Sequence, residues 1–575
     1  MDAAVGHGFP RLTNCALYNR IIIVARVNFF KGEGRLMELI TAKTLWKDYD
    51  PRNIPLDETV LSTEYTEKYS VTHVYFNGEA TVDGCTRIYA RLYVPASIPS
   101  GAAVVLMNDI ETPFDTTYTQ LLLDCGYTVL VPDYAGKRPE GRFTIYPASL
   151  CRADYFTENS DFHSLPDNPK LSCRYVYASV MLRAYVYLEN MPSVDKNRIC
   201  LMGVRRGGMQ VYKAAYLMKE AACAVTLFNS SYIEDLDLDS DKAMVYNTCL
   251  APSAYAPLVQ IPFYMVESSN NHENSLFHTD DLYRASSDSV RFYVVEHSDN
   301  TLNKEQRNSL VSFINGCCFS CSRPPAPPSV TAKNSDRALY YEVKISDHEN
   351  AEAVKLYYFY GTEKGEYRNW SRLNLERVSE NEYIAKADVY LLKAETSAYV
   401  TVKYNNGLLL SSGLETKTPY LMGVAAKEIV KSRLVYDTEM GVDDWLITEN
   451  TDKAGEISLK ESPVGISGVT SSVNSITTLK IGDVHTCGER DSLLQMLIYS
   501  QRMQTLRIRV TCHTESGYKT YFAAKKTDSF GEWSKITLSV DDFKSPDGPM
   551  DGWDNAVSFT VDSEDTLLIN SLLWI

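Results

Sequence analysis

The sequence lacks an apolar run long enough to cross a bilayer, which takes about 20 residues. The apolar stretch at residues 15–30 is interrupted by Arg20 and Arg26, and no small-residue cleavage site follows it. An excess of positive charge is also missing, because the formal net charge is −16. We therefore expect neither a membrane anchor nor a nucleic-acid partner. Residues 1–36 are predicted to be a poorly ordered extension.

Paired cysteines and complete metal-binding motifs are missing as well. The 13 cysteines are an odd number, and Cys125, Cys200 and Cys223 lie inside apolar runs. This usage indicates reduced, buried thiols in a cytoplasmic protein rather than a disulfide framework. Cys318 and Cys321 form one CxxC, but no second ligand pair lies near it in the sequence. We therefore expect no metal site, and no cofactor.

A chain of 575 residues is too long for one hydrophobic core, so several domains are expected. From residue 102, apolar strand-like runs alternate with amphipathic helix-like stretches, which is typical of an α/β fold with a mostly parallel sheet. SCSRPPAPPS at 320–329 is a proline-rich linker. We predict an α/β domain over residues 37–319, an immunoglobulin- or fibronectin-like β-sandwich over 330–425, and a second β-sandwich over 426–575.

One stretch of the α/β part carries a recognisable chemical motif. NRICLMGVRRGGMQ at 197–210 predicts a strand, a tight turn and a helix, and Gly203, Gly207 and Gly208 give the turn the space it needs. The pattern is that of a nucleophile elbow, G-x-S-x-G. Arg205 occupies the serine position. A guanidinium is always protonated and has no lone pair with which to attack a carbonyl.

Residues from about 45 to 316 resemble the α/β-hydrolase superfamily, and within it the acetyl xylan esterase and cephalosporin-C deacetylase branch. The resemblance rests on RIYARLYVP at 87–95, GYTVLVPD at 126–133 and SVDKNRICLMGVRRGG at 193–208. It implies an α/β-hydrolase-like sheet with helices on both faces and a carboxylic-ester hydrolase ancestry.

The resemblance also assigns the positions of a catalytic site. Arg205 stands at the nucleophile position, Asn271 at the acid position and His297 at the general-base position. Asn108, Asp109 and Arg206 stand at the oxyanion-loop positions. Of the triad, only His297 keeps the residue type of the family, although Glu267 or Glu273 could replace the acid.

Three hypotheses about the altered site remain open at this point. The first is that the site has decayed without gaining a new role. The second is that Arg205 and the N–H groups at the helix start bind an anion. The third is that another nucleophile acts, and the candidates are Ser230, Ser231 and Cys200. We expect Arg205 to pair with an acid rather than to stay unpaired, since an unpaired buried guanidinium is costly. The available acids are Asp109, Glu111, Asp133 and Glu267.

The C-terminal part resembles a galactose-binding-like jelly roll of the kind found in carbohydrate-binding modules. The stretch from Trp533 to Ile575, with GWD at 552–554, carries this resemblance. It implies that Trp533 and Trp553 contact a sugar. The alternative is that Trp533, Phe543 and Trp574 only fill the core of the sandwich.

The sequence as a whole predicts a pseudo-esterase with a binding or regulatory role toward carbohydrate or another small molecule. One alternative is an active hydrolase of esters or acetylated sugars that uses a nucleophile outside the elbow. The other is a structural protein whose β domains dock a partner. The sequence indicates no oligomeric state.

Overall fold

The computed structural model of the protein describes residues 40–97, 100–158, 160–228, 238–272, 276–298, 300–320, 323–361, 363, 365–448, 455–528 and 530–575. Several predictions fall on residues outside these ranges. They are the extension at 1–36, the alternative nucleophiles Ser230 and Ser231, the alternative acid Glu273, and Cys321 of the CxxC. No described helix is both long and apolar enough to cross a membrane.

The first region, residues 40–320, alternates strands and helices from residue 102 onward. Its strands β1 to β9 are Thr59–Tyr65, Tyr69–Thr81, Gly84–Pro95, Ala103–Met107, Thr128–Pro132, Ile199–Val204, Cys223–Leu227, Phe263–Ser268 and Val290–Val295. Its helices α1 to α7 are Ala42–Leu45, Thr117–Asp124, Cys173–Glu189, Gly208–Leu217, Ser240–Val245, Leu276–Ala285 and Lys304–Asn315. A π-helical turn, Gly316–Ser320, continues α7.

These strands form a mixed sheet in the order β1-β2-β3-β5-β4-β6-β7-β8-β9. The six strands β4 to β9 are parallel to one another, and β1 to β3 pair in antiparallel fashion at one side of the sheet. Side chains of β4 alternate between two apolar clusters: Val105 packs on the side of α3 and α4, and Val104 on the side of α2 and α7. Helices therefore cover both faces of the parallel strands, as the continuous apolar runs predict.

The second region, residues 323–428, is antiparallel. Its strands β10 to β18 are Ser329–Asn334, Ala338–Lys344, Ala351–Gly361, Ser371–Leu373, Glu376–Arg377, Glu382–Asp388, Glu395–Tyr404, Leu409–Ser411 and Glu415–Lys417. The order β17-β16-β12-β13 extends the large sheet beyond β9, where Ser411 pairs with Phe292. A separate four-stranded sheet, β10-β11-β15-β14, packs against these strands. One sheet thus runs through both regions, to a total of 14 strands.

The third region, residues 432–575, consists mainly of two antiparallel sheets around one apolar core. Its strands β19 to β31 are Leu434–Asp437, Trp445–Leu446, Ile457–Glu461, Ser467–Ser471, Ser475–Thr478, Leu494–Ser500, Thr505–Thr514, Gly517–Lys526, Glu532–Leu538, Lys544–Ser545, Gly548–Pro549, Ala556–Asp562 and Leu567–Trp574. One sheet has six strands and the other seven. The period-two apolar pattern of these strands places one face of each sheet in the shared core.

Candidate functional site

The nucleophile elbow has the geometry that its glycines predict. β6 ends at Val204, one 3₁₀ turn covers Arg205–Gly207, and α4 begins at Gly208. A Cβ on Gly203 would lie 2.6 Å from backbone atoms of Gly207 and Gly208, and a Cβ on Gly207 would lie 2.2 Å from the carbonyl oxygen of Met107. Only glycine fits at either position without moving the backbone. The turn is therefore built as an elbow although its serine is missing.

Arg205 lies at the apex of the elbow in the left-handed region, with φ of +49°. A non-glycine residue in this region costs roughly 1–3 kcal/mol and persists where surrounding structure holds it. The Arg205 side chain is 25% exposed, and its Nη1 lies 3.9 Å from Asp109 Oδ2. Arg206 Nη1 lies closer to the same oxygen, at 3.4 Å, and equally close to Glu111 Oε1. The structure thus places Arg205 within 3.9 Å of the expected partner Asp109, and two guanidinium groups share this carboxylate.

The loop after β4 offers acceptors where an oxyanion site needs donors. The carbonyl oxygens of Met107 and Asn108 lie next to Gly207, and Asn108 O accepts a hydrogen bond from the Tyr134 hydroxyl at 2.8 Å. Burial raises the pKa of Tyr134 well above its usual value, so this phenol stays a neutral donor. Asn108 Nδ2 donates to two carbonyl oxygens of its own loop, those of Pro113 and Asp115. The Met107 and Asn108 carbonyl oxygens next to the turn thus cannot donate hydrogen bonds to an oxyanion, and the charge of Asp109 is offset by Arg205 and Arg206.

Asn271, at the acid position, belongs to a buried polar network. Its Nδ2 donates to Glu267 Oε1 at 2.8 Å, and its Oδ1 accepts from Asn300 Nδ2 at 3.3 Å. Glu267 is fully buried and also accepts from the Thr279 hydroxyl at 3.1 Å. Asn300 and Thr279 carry no motif that would have identified them in the sequence. Glu267 holds Asn271 in place, and none of the described contacts joins either residue to His297.

His297 follows β9 and also has a left-handed backbone, with φ of +48°. Its backbone N–H donates to Ser269 Oγ at 3.0 Å, and its ring meets Tyr357 of the second region edge to face at 5.6 Å. Burial lowers the pKa of His297, against the opposing effect of Asp443 and Asp444 of the third region. Nε2 has no hydrogen-bond partner among the described residues. The imidazole is therefore neutral at pH 7 and lies against residues from the other two regions.

The contacts of His297 identify residues that sequence reasoning missed. A cleft of about 1200 Å³ lies between the three regions, and its lining includes Glu296, His297, Lys355, Lys403, Asp443 and Trp445. Tyr357 and Asp443 lie in other regions of the chain, beyond the reach of any local motif. The described contacts bring Arg205, Arg206 and Asp109 together, and they bring Asn271 and Glu267 together, but they do not connect these groups to His297.

The two tryptophans predicted to contact a sugar have different environments. Trp553 is fully buried in the core of the third region, against Phe543 and Trp574, so its ring offers no face to a ligand. Trp533 is only partly buried, its Nε1 donates to Ser462 Oγ at 3.0 Å, and its ring lies next to Tyr499. The GWD stretch thus owes its tryptophan to packing. Within the described residues, no group of three or more His, Cys, Asp or Glu has the arrangement of a metal site.

No protein-family model matches the sequence, and no curated protein matches it. Similar solved structures include acetyl xylan esterase 1 from Thermoanaerobacterium sp. JW/SL YS485, at 13% identity and a TM-score of 0.37, over 46% of this chain and 89% of that one. The acetyl xylan esterase from Paenibacillus sp. R4 matches at 16% identity and a TM-score of 0.37, over 48% and 92%. A glucuronoyl esterase from Solibacter usitatus matches at 13% and 0.32, over 48% and 94%.

Proposed function

We propose that this protein is an α/β-hydrolase-like homologue of the carbohydrate esterases that no longer transfers acyl groups at its elbow and acts by binding a carbohydrate. The observation that carries the proposal is Arg205 at the elbow apex beside the Asp109 carboxylate. The apex is where such a scaffold presents its nucleophile. A guanidinium there cannot form an acyl-enzyme.

Two further features support the loss of hydrolysis. The loop after β4 brings the carbonyl oxygens of Met107 and Asn108 next to the turn, and these oxygens cannot donate the hydrogen bonds that an oxyanion needs. Asn271 is hydrogen-bonded to Glu267 and Asn300, and an amide does not stabilise an imidazolium by charge. Cys200, an alternative nucleophile, is fully buried at the other end of β6. The pseudo-esterase hypothesis is thus favoured over an active hydrolase.

Labelling with a fluorophosphonate probe tests the loss of the nucleophile. We expect no adduct on residues 203–208 and no turnover of p-nitrophenyl acetate above that of a heat-denatured sample. A stoichiometric adduct at any serine or cysteine, together with turnover, would support the alternative of an active hydrolase and contradict our proposal.

The carbohydrate part of the proposal rests on Trp533, the partly exposed tryptophan of β27. Aromatic faces of this kind stack on sugars, and we propose a xylan-type polysaccharide as ligand by analogy with the esterases. In affinity electrophoresis with soluble xylan, we expect retardation of the wild type and its loss in Trp533→Ala. Phe530→Ala is the control, because Phe530 is a highly exposed aromatic nearby. Equal mobility of wild type with and without xylan would refute sugar binding but leave the result of the labelling experiment standing.

We also propose that the protein works in a reducing compartment such as the cytoplasm. All cysteines within the described residues carry free thiols, and six of the eleven are buried. Buried, unpaired thiols are usual in reducing compartments and rare in secreted proteins.

A further inference from the structure

Four cysteines from three elements come together at the start of the central strands β6 and β7, at the end of β6 opposite the elbow. Cys200 of β6 and Cys223 of β7 are partners in the parallel register, and Cys317 and Cys318 lie in the π-helical turn after α7. Cys200 Sγ lies 3.3 Å from Cys318 Sγ and 3.3 Å from Cys223 Sγ. Cys317 is a neighbour of Cys223 and raises the pKa of its thiol. We call these four residues the thiol cluster.

The spacing within the thiol cluster does not suit a metal ion. Zinc–sulfur bonds of about 2.3 Å in a tetrahedral site separate neighbouring sulfurs by about 3.8 Å. Both sulfur–sulfur distances are 3.3 Å, and Cys200 is the central sulfur, in contact with Cys223 on one side and Cys318 on the other. Direct contact between sulfurs is what thiol–disulfide exchange requires, because each step is the attack of one sulfur on the next.

The members of the thiol cluster differ in access to solvent. Cys317 is partly exposed, Cys318 is 3% exposed, and Cys200 and Cys223 are fully buried. Hydrogen bonds from the thiols of Cys223 and Cys318 lower the pKa of Cys200, whereas the contact with Cys200 raises the pKa of Cys223. The thiol cluster thus combines one sulfur that solvent can reach with three buried ones.

We propose that the thiol cluster is a site of thiol–disulfide exchange, at which Cys317 takes up a low-molecular-weight disulfide and the cluster retains it as an internal disulfide. The proposal is independent of the elbow and of the binding function above. The guanidinium of Arg198 lies at this surface, with its Cζ 5.2 Å from the centre of the neighbouring Phe319 ring, and its charge is offset by Asp195 at 3.4 Å. Oxidised glutathione is the low-molecular-weight disulfide with which we test the proposal.

The chemistry takes two steps. The Cys317 thiolate attacks one sulfur of oxidised glutathione, which breaks its S–S bond, forms a mixed disulfide and releases one glutathione thiolate. Cys223 then gives its proton to the glutathione thiolate already released and attacks the Cys317 sulfur, which forms the internal disulfide and releases the second glutathione thiolate. The two protons lost by the cysteines go to the two glutathione thiolates. The cluster loses two electrons, and one oxidised glutathione becomes two reduced ones. Exchange through Cys200 can then move the bond inward to Cys318.

Peptide mapping of the native protein after incubation with oxidised glutathione tests this proposal. We expect a cross-link between two peptides of the thiol cluster, reversed by dithiothreitol. We expect its rate to fall at least tenfold in Cys317→Ser and to stay unchanged in Cys125→Ser, which removes an exposed cysteine outside the cluster.

Three results would overturn the proposal. One is a mixed disulfide on Cys317 that never resolves, and another is an unchanged cross-linking rate in Cys317→Ser. The third is stoichiometric bound zinc in the purified protein, with cluster thiols that react only after chelation. The unresolved mixed disulfide and the bound zinc are both measured on the wild type. These two results therefore decide the question even if Cys317→Ser fails to fold.

Discussion

Arg205 and Arg206 compete for one carboxylate at the start of α4. Asp109 is nearly buried, whereas Glu111, the second partner of Arg206, is largely exposed. Positive charge at a helix N-terminus is unfavourable by roughly 0.3–1 kcal/mol. The negative charge of Asp109 reduces the repulsion between the two guanidinium groups and their unfavourable interaction with the helix dipole. The sequence predicted this pairing from the supply of acids. It did not predict that Arg206 would be the closer partner, because the turn direction decides which side chain faces the loop after β4.

Replacing Arg205 with serine should not restore esterase activity. The variant supplies a hydroxyl at the apex, but Asn271 still hydrogen-bonds to Glu267 and the loop after β4 still presents acceptors. We expect turnover of p-nitrophenyl acetate equal to wild type and a loss of at most about 1 kcal/mol in unfolding free energy, because the lost pair is partly exposed. Arg206→Ser is the matched control and should cost more, since Arg206 is closer to Asp109. Turnover by Arg205→Ser at an unchanged melting temperature would mean that the remaining machinery is intact.

Glu79 of β2 should make stability depend on pH. Burial raises the pKa of Glu79 to about 7, and its Oε2 has no hydrogen-bond partner in the described part of the chain. The folded state therefore holds a proton that the unfolded state releases near pH 4.5, so stability falls as pH rises from about 4.5 to 7. We expect Glu79→Gln to raise the unfolding free energy by about 1–3 kcal/mol at pH 8 and to change it little at pH 4. Denaturant titrations at both pH values measure this, and an equal effect at the two would show that Glu79 titrates normally.

The sequence was sufficient to predict the elbow, which consists of β6, its turn and α4. Its apolar run predicts the strand, and the three glycines that follow predict a tight turn at the end of that strand. The parallel strands from β4 to β9 were predictable for the same reason, since each is a short apolar run between turn residues. Residues 40–58 form only α1 and one 3₁₀ turn, Pro51–Asn53. The environment of His297 was not predictable, because Tyr357, Asp443 and Asp444 come from later regions of the chain.

The elbow gives a prediction with a built-in control. A Cβ on Gly207 would lie 2.2 Å from Met107 O and 2.6 Å from Asn108 O, whereas a Cβ on Gly208 would meet its nearest atom at 3.4 Å. Gly207→Ala must displace backbone, so we expect a loss of roughly 3 kcal/mol. Gly208→Ala should leave stability unchanged or raise it by roughly 0.5 kcal/mol. Equal effects of the two substitutions in thermal unfolding would contradict the close approach of the elbow to the β4 loop.

At the scale of the whole molecule, the second region is joined to the first by apolar packing and by a shared sheet, and hydrogen bonds add to this junction. The junction between the second and third regions includes polar contacts. Tyr264 Oη donates to Leu409 O at 2.7 Å, and Val294 N donates to Ser411 Oγ at 3.0 Å. Contacts to the third region include Tyr360 with Asp483 and Arg372 with Asp443. The proline-rich stretch lies just before β10, the first strand of the antiparallel second region. It could not indicate that β17 would return to pair with β9, since that pairing depends on residues about a hundred positions apart.

Truncation should separate the two kinds of junction. A chain that ends at residue 320 would expose the apolar cluster that Leu310 and Tyr264 share with the second region, so we expect aggregation or binding of a hydrophobic dye. A chain that ends at residue 428 loses only the third region, which has its own core, and should unfold cooperatively. Sedimentation and thermal unfolding measure both. A soluble, cooperative chain ending at residue 320 would show that the first region is independent.

The shared sheet has a consequence for synthesis on the ribosome. β9 is complete about a hundred residues before β17 is made, which at roughly 5–20 residues per second leaves an interval of roughly 5–25 seconds. During that interval, the N–H and C=O groups on the outer side of β9 lack the hydrogen-bond partner strand β17. An open strand edge of this kind can pair with another nascent chain. Crowded polysomes should therefore be the setting in which this protein aggregates most readily, and slower initiation should raise its yield.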